Sequence, residues 1–184
     1  QQIVNTSSFS LLNNLGVITK TFFPRLVLPI SATLGAVIDF FILFVVLQVY
    51  LSLSHVPITS RYLYLPILII LTIVFAFGVG LIFGGLTVIF RDTKNLLGFI
   101  IQIWMFASPV VYPINETTIP AKYLPICYAN PMTGIINSFK WVFLGTEAAP
   151  SMNYLLISFG MALIILLIGL VFFKSTENHV ADIL

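Results

Sequence analysis

The chain has 184 residues, 59% of them hydrophobic and only 8% charged, with a net charge of +2 at pH 7 and a mean hydropathy of +1.10. A soluble domain carries about 25% charged residues, so this chain has too little polar surface to stay in water. Its positive charge is too small and too scattered to imply a nucleic-acid partner, and none is expected. The single cysteine, Cys127, excludes an internal disulfide and any paired-cysteine metal or redox motif.

Residues 1–25 are mixed in character. Phe9, Leu12, Leu15, Ile18 and Phe22 recur at helical spacing, and such a stripe beside a membrane lies in the interface or docks on a partner. The chain begins at Gln1 rather than Met, so it is expected to start partway into a longer protein. "GVITKT" ends like a phosphate-binding loop, but Asn14 and Thr19 stand where that loop needs glycines to wrap phosphates. No nucleotide site is expected there.

Apolar runs of the roughly 18 residues that mark a membrane helix follow. The first span is read as 26–53 and the second as 62–90, with "RDTKN" (Arg91–Asn95) a tight charged turn. A third apolar segment covers 96–113, and the last span covers 154–173, followed by the tail "KSTENHVADIL". Between them, 114–153 is too apolar for a free loop. Its middle breaks at Asn130-Pro131, because a residue before proline leaves the helical region. Pieces too short to span, with backbone that must still be satisfied at depth, read as re-entrant or interfacial helices on the outer side.

With four spans, Lys20, Arg25, Arg91, Lys94 and Lys174 share one side, and Arg61, Lys122 and Lys140 the other. Basic residues concentrate on the cytoplasmic side, so 1–25, the 91–95 turn and the tail are placed there. The division is 1–25 cytoplasmic amphipathic segment, 26–113 membrane helices, 114–153 outer re-entrant region, and 154–184 last span and tail. The fold class is an all-α integral membrane protein.

Asp39 lies mid-span, where a carboxylate costs a few kcal/mol on insertion scales. It is open to two readings: a proton or substrate contact, or a structural hydrogen bond to a neighbouring helix. Ala76, Gly80 and Gly84 form a small-residue ladder that permits close helix contact. Arg91 and Asp92 anchor topology or dock a cytoplasmic partner. His55 and His179 are placed on opposite sides, so they build no metal site with Cys127. No nucleophile–base set or carboxylate pair falls in one pocket either.

"IIQIWMFASPVVYP" (Ile100–Pro113) carries aromatics and prolines inside an apolar run. At 100° per residue Trp104, Ser108 and Tyr112 share one side, while Gln102, Phe106, Pro109 and Pro113 fall on the other. Tyr112 sits where an interfacial aromatic belt is expected. Trp104 lies deeper, where lining a path for sugar faces or amphiphiles and simple packing are both open.

The segments "SLLNNLGVITKTFFPRLVLPI", "VIDF", "FRDTKNLLGFIIQIWMFASPVVYP", "NPMTGIINSFKWVFLG" and "FFKSTENHVADIL" together resemble the membrane subunit of ABC-2 type exporters, in the branch that exports polysaccharides such as O-antigen, capsule or teichoic acid. The resemblance covers essentially the whole chain and matches the last four of that family's six membrane helices. It implies a homodimer in the cytoplasmic (inner) membrane, paired with a separate ATPase subunit that binds ATP and magnesium, with a lipid-linked glycan as cargo. It implies a coupling helix near 10–22, assigning ATPase coupling to Asn14, Lys20, Phe22, Arg25, Arg91 and Asp92. An outer gate would include Tyr128, Asn130, Pro131 and Trp141, and Gln102, Trp104, Phe106 and Tyr112 become candidates for the substrate path. A drug or small-lipid exporter of the same superfamily, and a channel or scaffold without an ATPase, are the alternatives.

Overall fold

A computed structural model of the chain describes residues 1–14, 16, 24–57, 59–90, 92–110, 119, 120, 122–145 and 151–183, the side chains of 94 and 177–183 excepted. Among the described residues there are helices and turns but no strands. In chain order they are α1 (Gln2–Asn13), α2 (Val27–Leu53), a 3-10 turn (Ser60–Tyr64), α3 (Leu65–Ile89), α4 (Thr93–Ala107), α5 (Leu124–Tyr128), α6 (Pro131–Leu144) and α7 (Met152–Ile183).

Among the described residues, three helical stretches are long and apolar enough to cross a membrane: Val27–Leu53, Ser60–Ile89 and Met152–Thr176. The sequence suggested four. The difference lies in α4, whose 15 residues reach about 22 Å at 1.5 Å per residue, short of the roughly 30 Å hydrocarbon core. It stops because Pro109 follows: Ser108 is extended, with φ −106° and ψ 151°, as a residue before proline prefers. At the other end of the chain, α7 runs on through most of the segment read as a tail, to Ile183.

The centre of the molecule is α3, the most enclosed of the three long helices. Its glycines explain why. A Cβ added at Gly80 would coincide with the Ser7 hydroxyl of α1, and one at Gly78 would lie 2.7 Å from Leu166 Cα of α7. One at Gly169 would lie 2.5 Å from the Gly78 carbonyl oxygen. Helices that cannot rely on the hydrophobic effect within lipid gain association from this close approach and from hydrogen bonds between them. Both are present. The Thr87 hydroxyl donates to Ser8 O at 3.1 Å, and the Ser8 hydroxyl to Gly80 O at 3.3 Å.

This packing also sets the face of α1. It buries Ile3, Val4, Ser7, Ser8, Ser10 and Leu11 against α3 and α2, whereas the apolar stripe expected from the sequence ran through Phe9 and Leu12, which are half-buried. Small hydroxyl residues reach the glycine face where bulky ones would not fit. Residues 15 and 17–23, which carry the rest of that stripe, lie outside the described residues.

Candidate functional site: helices α5 and α6 and the face of α4

At Asn130 the chain is forced out of helix by the following proline, with φ −77° and ψ 111°. That geometry makes it the N-cap of α6: its Oδ1 accepts from the Met132 N–H at 3.1 Å. Pro131, the first helical residue, has no N–H that would need a partner. The expected break between α5 and α6 therefore falls where the sequence placed it.

The Asn130 side chain also reaches α4. Trp104 Nε1–H donates to its Oδ1 at 3.0 Å, and its Nδ2 donates to Ser108 Oγ at 3.1 Å and Ala107 O at 3.4 Å. The Trp104 ring is held edge-on against Phe75 of α3, with centroids 5.6 Å apart. Two sequence candidates, one assigned to the path and one to the gate, are thus in direct contact. Gln102 and Phe106 occupy the other face of α4 and are exposed, Phe106 by 59%. Tyr112 lies outside the described residues.

Tyr128 and Trp141 tie α5 and α6 to their surroundings. Tyr128 is buried, stacks on Tyr154 of α7 at 4.8 Å, and accepts from Asn137 Nδ2 at 3.0 Å through its hydroxyl. Its carbonyl accepts from the Ser158 hydroxyl at 3.1 Å, and Gly134 makes room for Ser158. At the far end of α6 the Arg61 guanidinium lies 5.1 Å from the Trp141 ring centroid. Arg61 also donates from Nη1 to Trp141 O at 3.3 Å. A cation at a helix C-terminus satisfies otherwise orphaned carbonyls and meets the negative end of the dipole. Lys140 donates from Nζ to Pro109 O at 2.6 Å, a second link between α6 and the end of α4.

Of the residues proposed for coupling, Asn14 and Asp92 sit at the opposite end. The Thr87–Ser8 bond places the end of α1 beside the end of α3, and Gly85 abuts Phe172 and Thr176 of α7. Asn14, Asp92 and Lys174 therefore share this end. Asn14 caps α1 on itself, with Nδ2 donating to Ser10 O at 2.8 Å. Asp92 is exposed, and the Thr93 hydroxyl beside it donates to Phe90 O at 2.6 Å. Arg25 is half-buried in the turn before α2. Lys20, Phe22 and Arg91 lie outside the described residues.

Asp39 is exposed on α2 and has no hydrogen-bond or ion-pair partner among the described residues. Among those residues, no group of three or more His, Cys, Asp or Glu could hold a metal ion. Sequence reasoning had treated Arg61 and Lys140 only as topology charges. Their cue was local: Lys140 stands between Phe139 and Trp141 in an apolar segment, where a lone cation needs a partner.

Comparison with known proteins agrees with this architecture. The chain is 29% identical to an O-antigen export system permease protein RfbA from Klebsiella pneumoniae, over 97% of its own length and 68% of the relative's. A second RfbA from the same species is 28% identical over the same shares. One from Myxococcus xanthus is 23% identical over 90% of this chain and 64% of that one. The ABC-2 type transporter family matches residues 2–144, well over half of the chain, and the protein belongs to that family as a membrane component.

Proposed function

We propose that the chain is the transmembrane subunit of an ATP-driven exporter that moves a lipid-linked polysaccharide across the cytoplasmic membrane. It works as a homodimer with a separate ATPase subunit, which carries the ATP and magnesium. The observation that carries this reading is the similarity to O-antigen export permeases along nearly the whole chain.

The separation of the two ends supports it. ATP closure of the partner would move the end of the molecule that holds Asn14 and Asp92, through contacts proposed for Lys20, Phe22, Arg25 and Arg91. That movement is transmitted through rigidly packed α1, α3 and α7 to the outer helices. A ligand drives such a change only through different contacts in the two states. The exposed face of α4, with Gln102 and Phe106, supplies aromatic and amide contacts that a sliding sugar polymer can make and release.

Deleting the gene for this subunit should abolish surface polysaccharide while the lipid-linked polymer accumulates inside the cell, and the intact chain should restore it. Normal surface polysaccharide together with altered sensitivity to drugs or altered outer-leaflet lipid would instead assign a small-molecule exporter.

A further inference from the structure

We infer that Asn130 is a positioning residue: it locks the outer pair α5–α6 to the C-terminal end of α4, so that the exposed face of α4 and the outer helices move as one body. The carboxamide is used in full. Its oxygen accepts from both Met132 N–H and Trp104 Nε1–H, and its nitrogen donates to Ser108 Oγ and Ala107 O. One side chain thus starts α6 and holds the end of α4.

Among the described residues the α4 and α6 backbones barely approach each other. Trp104 and Ile101 of α4 and Met132, Ile135 and Phe139 of α6 do belong to one hydrophobic cluster, but such contacts can slide, whereas hydrogen bonds fix a register. The second link is Lys140 to Pro109 O, next to Ser108 in sequence. Ser108 is 2% exposed and Asn130 half-buried, so it is the serine hydroxyl that sits out of solvent, where leaving it unpaired is costly. Trp104 cannot swing away without giving up its edge-on contact with Phe75. The lock therefore ties the helix that displays Gln102 and Phe106 to the helices at the outer end.

An N-cap alone would need only the Asn130 oxygen, and serine caps a helix about as well. Asn130→Ser keeps the cap but is too short to reach Trp104, and Trp104→Phe keeps the ring on Phe75 but removes the donor. The test uses the full-length chain in complex with its ATPase, with Cys127→Ser and spin labels at Phe99 and Ile126, which are 64% and 70% exposed. The reading is a distance distribution and does not depend on the identity of the cargo.

The unaltered lock should give one narrow distribution, with and without ATP. Trp104→Phe and Asn130→Ser should each broaden it at least twofold, and the double variant no further than either single, because both remove the same tie. Ser108→Ala, the mildest change, should broaden it in the same direction and serves if Asn130→Ser assembles poorly. An unchanged width in Trp104→Phe would overturn the inference.

Discussion

His55 has φ 56°, the one positive value at a non-glycine among the described residues. It closes α2 in a Schellman arrangement: His55 N–H donates to Ser52 O and Val56 N–H to Leu51 O, each at 3.1 Å. That position favours glycine, and a Cβ in left-handed backbone costs about 1–2 kcal/mol. His55→Gly should raise the unfolding temperature in detergent, with a gain near 1 kcal/mol. Gly145 ends α6 at φ 65°, and a Cβ there would lie 3.2 Å from Arg61 Nη1. Gly145→Ala should therefore lose about 1–2 kcal/mol and loosen Arg61 from Trp141, which a shift in tryptophan emission would report. Asp39 makes no bond within the described chain, so Asp39→Asn should leave thermal unfolding within about 0.5 kcal/mol of the parent. A larger loss would reveal a partner inside the chain. Residue types flagged Asp39 and Asn130 as sites to watch. They did not reveal that Asn130 meets Trp104, because that contact joins positions far apart in the chain.

At the scale of elements, local signals did well. The first span was read as 26–53 and is Val27–Leu53, the second as 62–90 and is Leu65–Ile89, because length, hydropathy and proline act within a few residues. The break at Asn130 was legible for the same reason. What failed was non-local. The buried face of α1 is decided by glycines in α3, so the apolar stripe was a poor guide to it. The period of α4 separated Trp104 and Ser108 from Gln102 and Phe106, but only Phe75 and Asn130 determine which pair points inward. Four spans were read where three long helices are seen among the described residues, because a run of apolar residues continues past Ser108 although α4 ends at Ala107. The glycines give a matched test of this packing. Gly78→Ala meets Leu166 backbone and should cost about 1–3 kcal/mol as overpacking. Gly98→Ala has nothing within 4 Å and should be neutral or gain up to about 1 kcal/mol from helix propensity. Thermal unfolding of the two variants decides, and equal losses would contradict the close packing of α3 on α7.

Taken whole, the molecule has a packed spine and large uncovered flanks. Gly78 and Gly80 let α7 and α1 close on α3, while α2 leaves Leu34, Ile38 and Leu43 more than 60% exposed. Such faces suit lipid or further protein, and they are consistent with a subunit that works in an assembly. Composition and apolar runs were enough to identify a membrane protein, and five ordered segments pointed to its family. Cargo and coupling are properties of the assembly, and residues such as Lys20 acquire their proposed role only against a partner. The most direct measurement is ATP-dependent movement of a lipid-linked polysaccharide by the full-length chain and its ATPase reconstituted in vesicles. Movement of the polymer to the opposite leaflet or lumen with ATP, and none when either subunit is omitted, is the predicted result. Polymer that stays in place while ATP is hydrolysed, or moves equally well without the ATPase, would contradict it.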